Sequence, residues 1–540
     1  MVSDRIWRRI LGLFAALFLL NASLTFESAW PTPGVRWRGP LSIELAVCVL
    51  AMLVIWTSRR RALSRPTLGW LAVVWSILVV GRYAEVTASA LYGREINLFW
   101  DLRFVPDVAV MLAAPSRLWT IALAALGVVL ILALLYRVLR WALRSIADAT
   151  TRPIERRALY AVVAVVCALW AGQRLGASFA EGVRFSAPVS ATYARQARLL
   201  VSSVTGSMTL PAGPAMNSDL SRVKGADVFV FFIEAYGAIS YERPEIAPAL
   251  TASRAGLAGA IRDTNRDVVS AYVESPTFGG SSWLAHLSLM SGVEVRDAAS
   301  NASLMAQQRE TMVTTFKQHG YRTVALMPGL RQRWPEGAFY GFDEIYGAAR
   351  LDYRGPEFGW FAIPDQFSLA QFEALERRQP ARSPMFVFFP TISTHFPFSP
   401  TPPYQPDWAR MLTDRPYDGR AIVDAYAHEP DWTSFGPGYV NAIAYTYATL
   451  SGYLRETADR DRVMILLGDH QPAAAVSGEG APWDVPVHVI VGTRAASDRS
   501  QVLERLIARG FRRGLTPQRP ALGRMHSLLP VLLDAFSEMK

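Results

Sequence analysis

Asp227-Val228-Phe229-Val230-Phe231-Phe232-Ile233, followed by Glu234-Ala235-Tyr236-Gly237, decides how the C-terminal part of this chain folds. An unbroken apolar run of this length, rich in β-branched and aromatic residues, reads as a central strand buried on both faces. Further strands read at Val268 to Val273, Arg322 to Met327, Met385 to Thr391, Arg462 to Leu467 and Val485 to Val491, with helical patterns between them, the first from about Ala247 to Arg262. This alternation predicts an α/β domain with a mostly parallel central sheet covered by helices on both faces.

In such sheets the ligand site lies beyond the carboxyl ends of the strands, and the reactive residues of this chain fall there. Glu234 ends the first strand. Phe278-Gly279-Gly280-Ser281-Ser282-Trp283-Leu284-Ala285-His286 follows the second, and its two glycines allow a tight turn into a helix with Ser281 or Ser282 in its first turn. Free N–H groups and the positive end of the helix dipole there favour an attacking alkoxide and a bound anion. His395 closes Thr391-Ile392-Ser393-Thr394-His395-Phe396-Pro397-Phe398, and Asp469-His470 follows Val463 to Gly468. Singly, each has a structural explanation: Ser281 caps a helix, Glu234 accepts from a turn, His395 is a satisfied loop histidine, Asp469 opens the turn at Gln471-Pro472. Five of them at one sheet edge favour a site.

The N-terminal third differs in composition. The chain of 540 residues is 51% hydrophobic, and the excess is concentrated in Ile10 to Phe26, Leu41 to Trp56, Leu68 to Val80, Leu118 to Tyr136 and Ala158 to Trp170. Each approaches bilayer-spanning length, which predicts a five-helix transmembrane domain over residues 1–172, a connector helix and linker over 173–220, and the α/β domain over 221–540. Trp30 reads as an interfacial anchor, and the first span lacks a convincing small-residue cleavage site. Arginines 5, 8 and 9, then 59, 60, 61 and 65, then 137, 140, 144, 152, 156 and 157 mark three cytoplasmic segments. An odd number of spans then puts the α/β domain outside the cytoplasm, in the periplasm of a bacterium whose inner membrane holds the spans.

The net charge of +10 is therefore a topology signal rather than a nucleic-acid footprint. Cys48 and Cys167 are the only cysteines and both lie in predicted spans, which excludes a disulfide framework. The connection from Gly81 to Ser116 carries Arg82, Glu85, Arg94, Glu95, Asp101, Arg103 and Asp107, and reads as a solvated loop with salt-bridged helical turns or as a segment that holds a lipid head group or braces the soluble domain.

The chemistry asks for this set of residues. A serine hydroxyl is a weak nucleophile at neutral pH, and oxygen ligands from Glu234, Asp469 and Ser281 with the imidazole of His470 suit one divalent ion that lowers its pKa. Zinc and manganese both fit, and magnesium suits the oxygen-rich set. His395 is placed to protonate a leaving alkoxide or to bind phosphate. Weaker candidates are Arg333 and Trp334, which could clamp a phosphate and stack on a sugar or glycerol, and His488, whose alternation in Val485 to Val491 makes it either a packed histidine or a further substrate-binding group. His286 shares a helical face with Ser282, and its reading is a supporting or surface role. Phe396 to Gly438 is long and rich in proline and aromatics, including Tyr404, Trp408, Tyr417, Tyr426 and Trp432, which suits an acyl chain or a glycan face.

Glu at a strand end, a glycine-serine nucleophile turn, Thr394-His395-Phe396-Pro397-Phe398 and Gly468-Asp469-His470-Gln471-Pro472, behind five spans, resemble the membrane-anchored phosphoethanolamine transferases and lipoteichoic acid synthases of the alkaline phosphatase and sulfatase superfamily. The resemblance implies a sulfatase-like fold, metal held by Glu234, Ser281, Asp469 and His470, transient phosphorylation of Ser281, and substrate handling by His395. The family uses threonine where this chain has serine, and Ser282 and Thr277 are the neighbouring alternatives. The function so implied is transfer of a phosphoglycerol or phosphoethanolamine head group from a membrane phospholipid to an envelope glycan or lipid. A phosphodiesterase or sulfatase-type hydrolase of the same fold is the alternative, and a non-catalytic binding domain is the third reading. A formylglycine sulfatase is disfavoured, because no cysteine lies outside the spans and no serine sits in a Cys/Ser-x-Pro-x-Arg setting.

Overall fold

The computed structural model describes residues 2–538 except 30–31, 33, 94–95, 97, 103–108, 110–117, 177–181, 206–209, 333, 335, 377–381 and 494–498. It divides into two compact units, residues 1–90 with 95–204, and residues 91–94 with 205–540.

The first unit is helical: α1 (Val2–Thr25), α2 (Ile43–Arg59), α3 (Arg65–Tyr92), α4 (Leu118–Thr150), α5 (Pro153–Arg174) and α6 (Val189–Thr205). All five expected apolar stretches fold as helices, but among the described residues three are long and apolar enough to cross a membrane: Trp7–Thr25, Arg65–Leu91 and Leu118–Thr150. The other two of the five expected spans, in α2 and α5, fall short by that measure. The α2 helix has only 17 residues, and the apolar run of α5 is shortened by Glu155, Arg156 and Arg157 at one end and Arg174 at the other. The connector helix α6 belongs to this unit. Arg82 and Glu85, expected in a loop, lie within α3, because that helix continues past Val80 to Tyr92. Arg82 donates from Nε to the Phe26 carbonyl at 3.1 Å and pairs with Glu85 at 3.3 Å, so both charges are satisfied inside the bundle.

The second unit is built on β1 (Asp227–Ile233), β2 (Arg266–Glu274), β3 (Arg322–Met327), β4 (Glu344–Gly347), β5 (Met385–Pro390), β6 (Arg462–Gly468), β7 (Asp484–Gly492) and β8 (Arg512–Arg513). They form one eight-stranded sheet in the order β8-β2-β7-β6-β1-β5-β3-β4. From β6 to β4 every pairing is parallel, whereas β7 runs antiparallel to both β6 and β2, and β8 to β2. The sheet is thus mostly parallel, with β7 and the two-residue β8 reversed. Strands β4 and β8 have no counterpart in the sequence reading, being too short for a periodic signal.

All seven residues of β1 are buried. Val228, Val230 and Phe232 pack into a core with Leu284, Leu503, Leu529 and Leu532 on one face. On the other face Phe229 and Phe231 meet the rings of Phe372 and Tyr453 from α9 (Asp365–Glu376) and α10 (Gly436–Glu456), the other main helices being α7 (Thr251–Asp263) and α8 (Ser282–Ser291). Burial on both faces is what the unbroken apolar run requires.

Candidate active site

Register builds the site. Ile233 of β1 pairs with Gly468 of β6, so the next residue of each strand, Glu234 and Asp469, emerges at the same edge. The strands approach closely there: a Cβ on Gly468 would stand 1.9 Å from the Tyr236 carbonyl oxygen, and only glycine fits. On the other side of β1, Phe232 pairs with Pro390 of β5, which brings the Thr391–His395 turn alongside Glu234. That turn is clamped to Glu234 twice. The Glu234 N–H donates to Thr391 Oγ1 at 3.1 Å, and Thr394 Oγ1 donates to the Glu234 carbonyl at 2.6 Å.

The glycine turn closes the cluster from the far side. Gly279 N–H donates to the Gln471 carbonyl at 3.0 Å, which fixes the turn to the Asp469–Pro472 loop. Gly279, Gly280 and Ser281 all have positive φ, at 64°, 139° and 63°, so the chain is still reversing at Ser281 and α8 begins at Ser282. The structure therefore brings Ser282 into hydrogen-bond contact with the cluster, not Ser281, which caps the helix without a side-chain hydrogen bond. Ser282 Oγ donates to Glu234 Oε2 at 2.9 Å and lies 3.2 Å from His470 Nε2. The sequence reading counted the helix from the residue after the glycines, and the left-handed conformation of Ser281 shifts that count by one.

Glu234, Asp469 and His470 are buried, and one ligand atom from each lies within 4.8 Å of the others. His470 donates from Nδ1 to the Gln471 carbonyl at 2.8 Å, which leaves Nε2 facing the carboxylates at 3.4 Å from Glu234 and 3.8 Å from Asp469. Asp469 Oδ1 accepts from the N–H groups of Ala235 at 2.9 Å and His470 at 2.7 Å. Burial opposes charge on His470, but Asp469 and Glu234 outweigh it and hold the imidazolium up to about 9. Burial together with the Glu234 charge pushes the Asp469 carboxyl well above its usual range. On Glu234 burial pushes the same way, and the charge and hydrogen bond of His470 reverse it, keeping that group ionised. Protein groups alone thus leave the cluster holding protons on His470 and Asp469. Two carboxylates, an imidazole with a free Nε2 and a serine hydroxyl are the donor set of a divalent cation, which would displace those protons.

His395 stands at the mouth, half-buried, with Nδ1 donating to the Phe396 carbonyl at 2.7 Å, so that Nε2 is the atom left for a substrate. The Phe361 ring meets it edge-on at 5.0 Å, and its charge contributes to the field on Glu234. Behind it Asp365, absent from the sequence reading, accepts the N–H groups of Ile392 and Ser393, each at 2.9 Å. Burial pushes the Asp365 carboxyl up to about 6 despite those bonds. An aspartate after a proline, opening an amphipathic helix, was the only signal it gave.

Among the described residues no hydrogen bond joins His286, Trp334 or His488 to this cluster, although the charges of Glu234 and His470 act on His286. His488 is buried in β7, with Nδ1 2.6 Å from Ser270 Oγ and Nε2 3.0 Å from Tyr236 Oη and 3.3 Å from Tyr241 Oη. Ser270 donates to the Gly514 carbonyl at 2.6 Å, so it accepts from His488 Nδ1–H, and Nε2 accepts from a tyrosine. Burial, helped by Arg254, pushes His488 down to about 3. Trp334 stacks on Tyr340 at 5.5 Å between ring centroids, and Arg333 lies outside the described residues. His286 packs against Phe232 at 4.5 Å and Phe388 at 5.3 Å, and burial pushes it down to about 3. In the aromatic segment Trp408, Tyr417 and Phe435 are buried, while Tyr426 and Trp432 are exposed.

Residues 285–486 match the family model described as Sulfatase, and the C-terminal unit carries a sulfatase-like domain. No curated protein sequence matches the chain. Solved structures that resemble it include the lipoteichoic acid synthase LtaP from Listeria monocytogenes, with 13% identity, TM-score 0.37, and coverage of 62% of this chain and 81% of that one. The periplasmic domain of EcEptC from Escherichia coli in complex with Zn gives 13% identity, TM-score 0.35, and 55% and 79% coverage. The phosphoglycerol transferase GacH from Streptococcus pyogenes, in complex with sn-glycerol-1-phosphate, gives 10% identity, TM-score 0.36, and 65% and 82% coverage.

Proposed function

We propose that this protein is a membrane-anchored, metal-dependent transferase that moves a phosphoglycerol or phosphoethanolamine head group from a phospholipid to an envelope glycan or lipid, with Ser282 as the nucleophile. The observation that carries the reading is the position of Ser282 Oγ, 2.9 Å from Glu234 and 3.2 Å from His470 at the centre of the buried cluster. Glu234, Asp469, His470 and Ser282 would hold one zinc, manganese or magnesium ion. Such an ion would lower the serine pKa and neutralise charge on the phosphoryl oxygens.

In the first step Ser282 Oγ, its proton released to water, attacks phosphorus, and the bond from phosphorus to the diacylglycerol oxygen breaks. His395 Nε2 gives its proton to that leaving oxygen. In the second step His395, now neutral, takes the proton of an acceptor hydroxyl, which attacks phosphorus and regenerates Ser282. Five spans that place the α/β domain outside the cytoplasmic membrane belong to the same proposal. Anchoring suits a donor confined to the bilayer, because it raises the local donor concentration.

The experiment is intact mass of the detergent-purified protein after incubation with mixed phospholipids and metal, followed by peptide mapping. A phosphoglycerol or phosphoethanolamine adduct on Ser282 is the expected result, and release of free head group without acceptor assigns hydrolysis instead. An adduct on Ser281 or Thr277 refutes the choice of nucleophile.

A further inference from the structure

The α3 and α4 helices touch through Gly69, where an added Cβ would stand 3.5 Å from Tyr136 Oη. Beside that contact a cavity of about 400 Å³ opens, lined by Arg65, Pro66, Gly69, Trp70, Val73, Tyr136 and Arg140. Arg65 lies four residues before Gly69, and Arg140 four residues after Tyr136. At a rise of 1.5 Å per residue the backbone of each arginine lies about 6 Å along its helix from the contact, and both side chains line the cavity. Among the described residues neither has a carboxylate partner, and the Tyr136 hydroxyl has no hydrogen-bond partner. Trp70, 72% exposed, and Val73, 37% exposed, continue the cavity as an apolar wall on the side towards mid-helix.

We propose that this cavity holds the phosphate of an anionic phospholipid at the cytoplasmic face of the membrane, with Arg65, Arg140 and Tyr136 binding the phosphate and Trp70 and Val73 lying along an acyl chain. The inference rests on α3 and α4 crossing a bilayer and on the arginine-based orientation; it is independent of the chemistry at Ser282. Two cations and a hydroxyl lining one cavity beside an aromatic and aliphatic wall complement a phosphodiester that has a hydrocarbon tail. A free phosphate would use the arginines and leave that wall without a role.

The test is native mass spectrometry of the full-length protein in detergent, titrated with dioctanoyl phosphatidylglycerol or dioctanoyl phosphatidylcholine. One phosphatidylglycerol adduct should saturate at a concentration well below that needed for phosphatidylcholine. Removing a surface cation costs about fivefold in affinity, so R65Q/R140Q should weaken binding about 25-fold, with R140Q alone deciding if the double variant does not fold. R137Q/R144Q removes two charges from the same helix outside the cavity and should leave binding unchanged. Equal binding of the two lipids, equal loss in R137Q/R144Q, retention in R65Q/R140Q, or displacement by millimolar inorganic phosphate would each overturn the proposal. Protein that remains in solution without detergent would instead sink the membrane reading itself.

Discussion

His470 and His488 follow adjacent positions of one sheet, on β6 and β7, and both are almost wholly buried, yet their protonation is opposite. His470 is held up to about 9 and His488 is pushed down to about 3. Burial disfavours the imidazolium in both; the difference lies in what the strands place beside them. The carboxyl end of β6 lies next to that of β1, so His470 meets two carboxylates, whereas β7 is antiparallel and sets its histidine mid-strand among Ser270, Tyr236 and Tyr241. A neutral hydroxyl network satisfies an imidazole without charging it. Strand direction, more than burial, separates the charged histidine from the neutral one.

The sharpest way to break this comparison is at the serine that His470 touches. Ser282→Ala should lower head-group transfer by about a thousandfold or more, whereas Ser281→Ala should stay within about tenfold of the parent, measured as turnover with a labelled phospholipid. Equal losses would dissolve the distinction between the two serines.

Metal affinity sharpens it next. Because His470 is protonated up to about 9, a cation must displace its proton throughout the neutral range. Affinity should therefore rise with pH, by about tenfold per unit for each proton displaced between pH 6 and 8, as read by calorimetry against a competing chelator. A flat profile would mean that the cluster is already deprotonated.

The smallest effect concerns His488. His488→Leu should cost about 1–3 kcal/mol of stability by leaving Ser270 and the tyrosine hydroxyls short of partners, with metal affinity unchanged. His286 and His488 both fall from 6.5 to about 3, so the unfolded chain binds more protons between those values. Stability from these groups is complete above about pH 6.5 and is lost as pH falls towards 3, and the variant should show a shallower fall in Tm across that window.

Much of the sheet was legible because six strands carry long apolar runs, and the carboxyl-edge rule then brought Glu234, His395, Asp469 and His470 to one side. Direction was not legible for β7, since Val485 to Val491 is equally apolar whichever way it runs. Ser281 and Ser282 were not separable by composition; a single left-handed residue decides between them, and φ leaves no mark on a serine. Asp365 was hidden because its partners are backbone N–H groups, which every sequence supplies. The membrane count turned on helix ends, where charge and length compete.

The two threonine bonds to Glu234 have a further consequence. They join the start of the His395 turn to the cluster through the backbone of one residue, so His395, the proposed general acid, and the Glu234 carboxylate keep their spacing. Beyond Phe398 the polypeptide makes a long excursion to α10 that carries a helix at Gly419–Tyr426 and is held down by the buried Gln405, Trp408, Met411 and Tyr417. Its exposed side chains, Tyr426 and Trp432 among them, can therefore change without disturbing that spacing. That is the place where enzymes sharing one reaction would diverge in the molecules they accept.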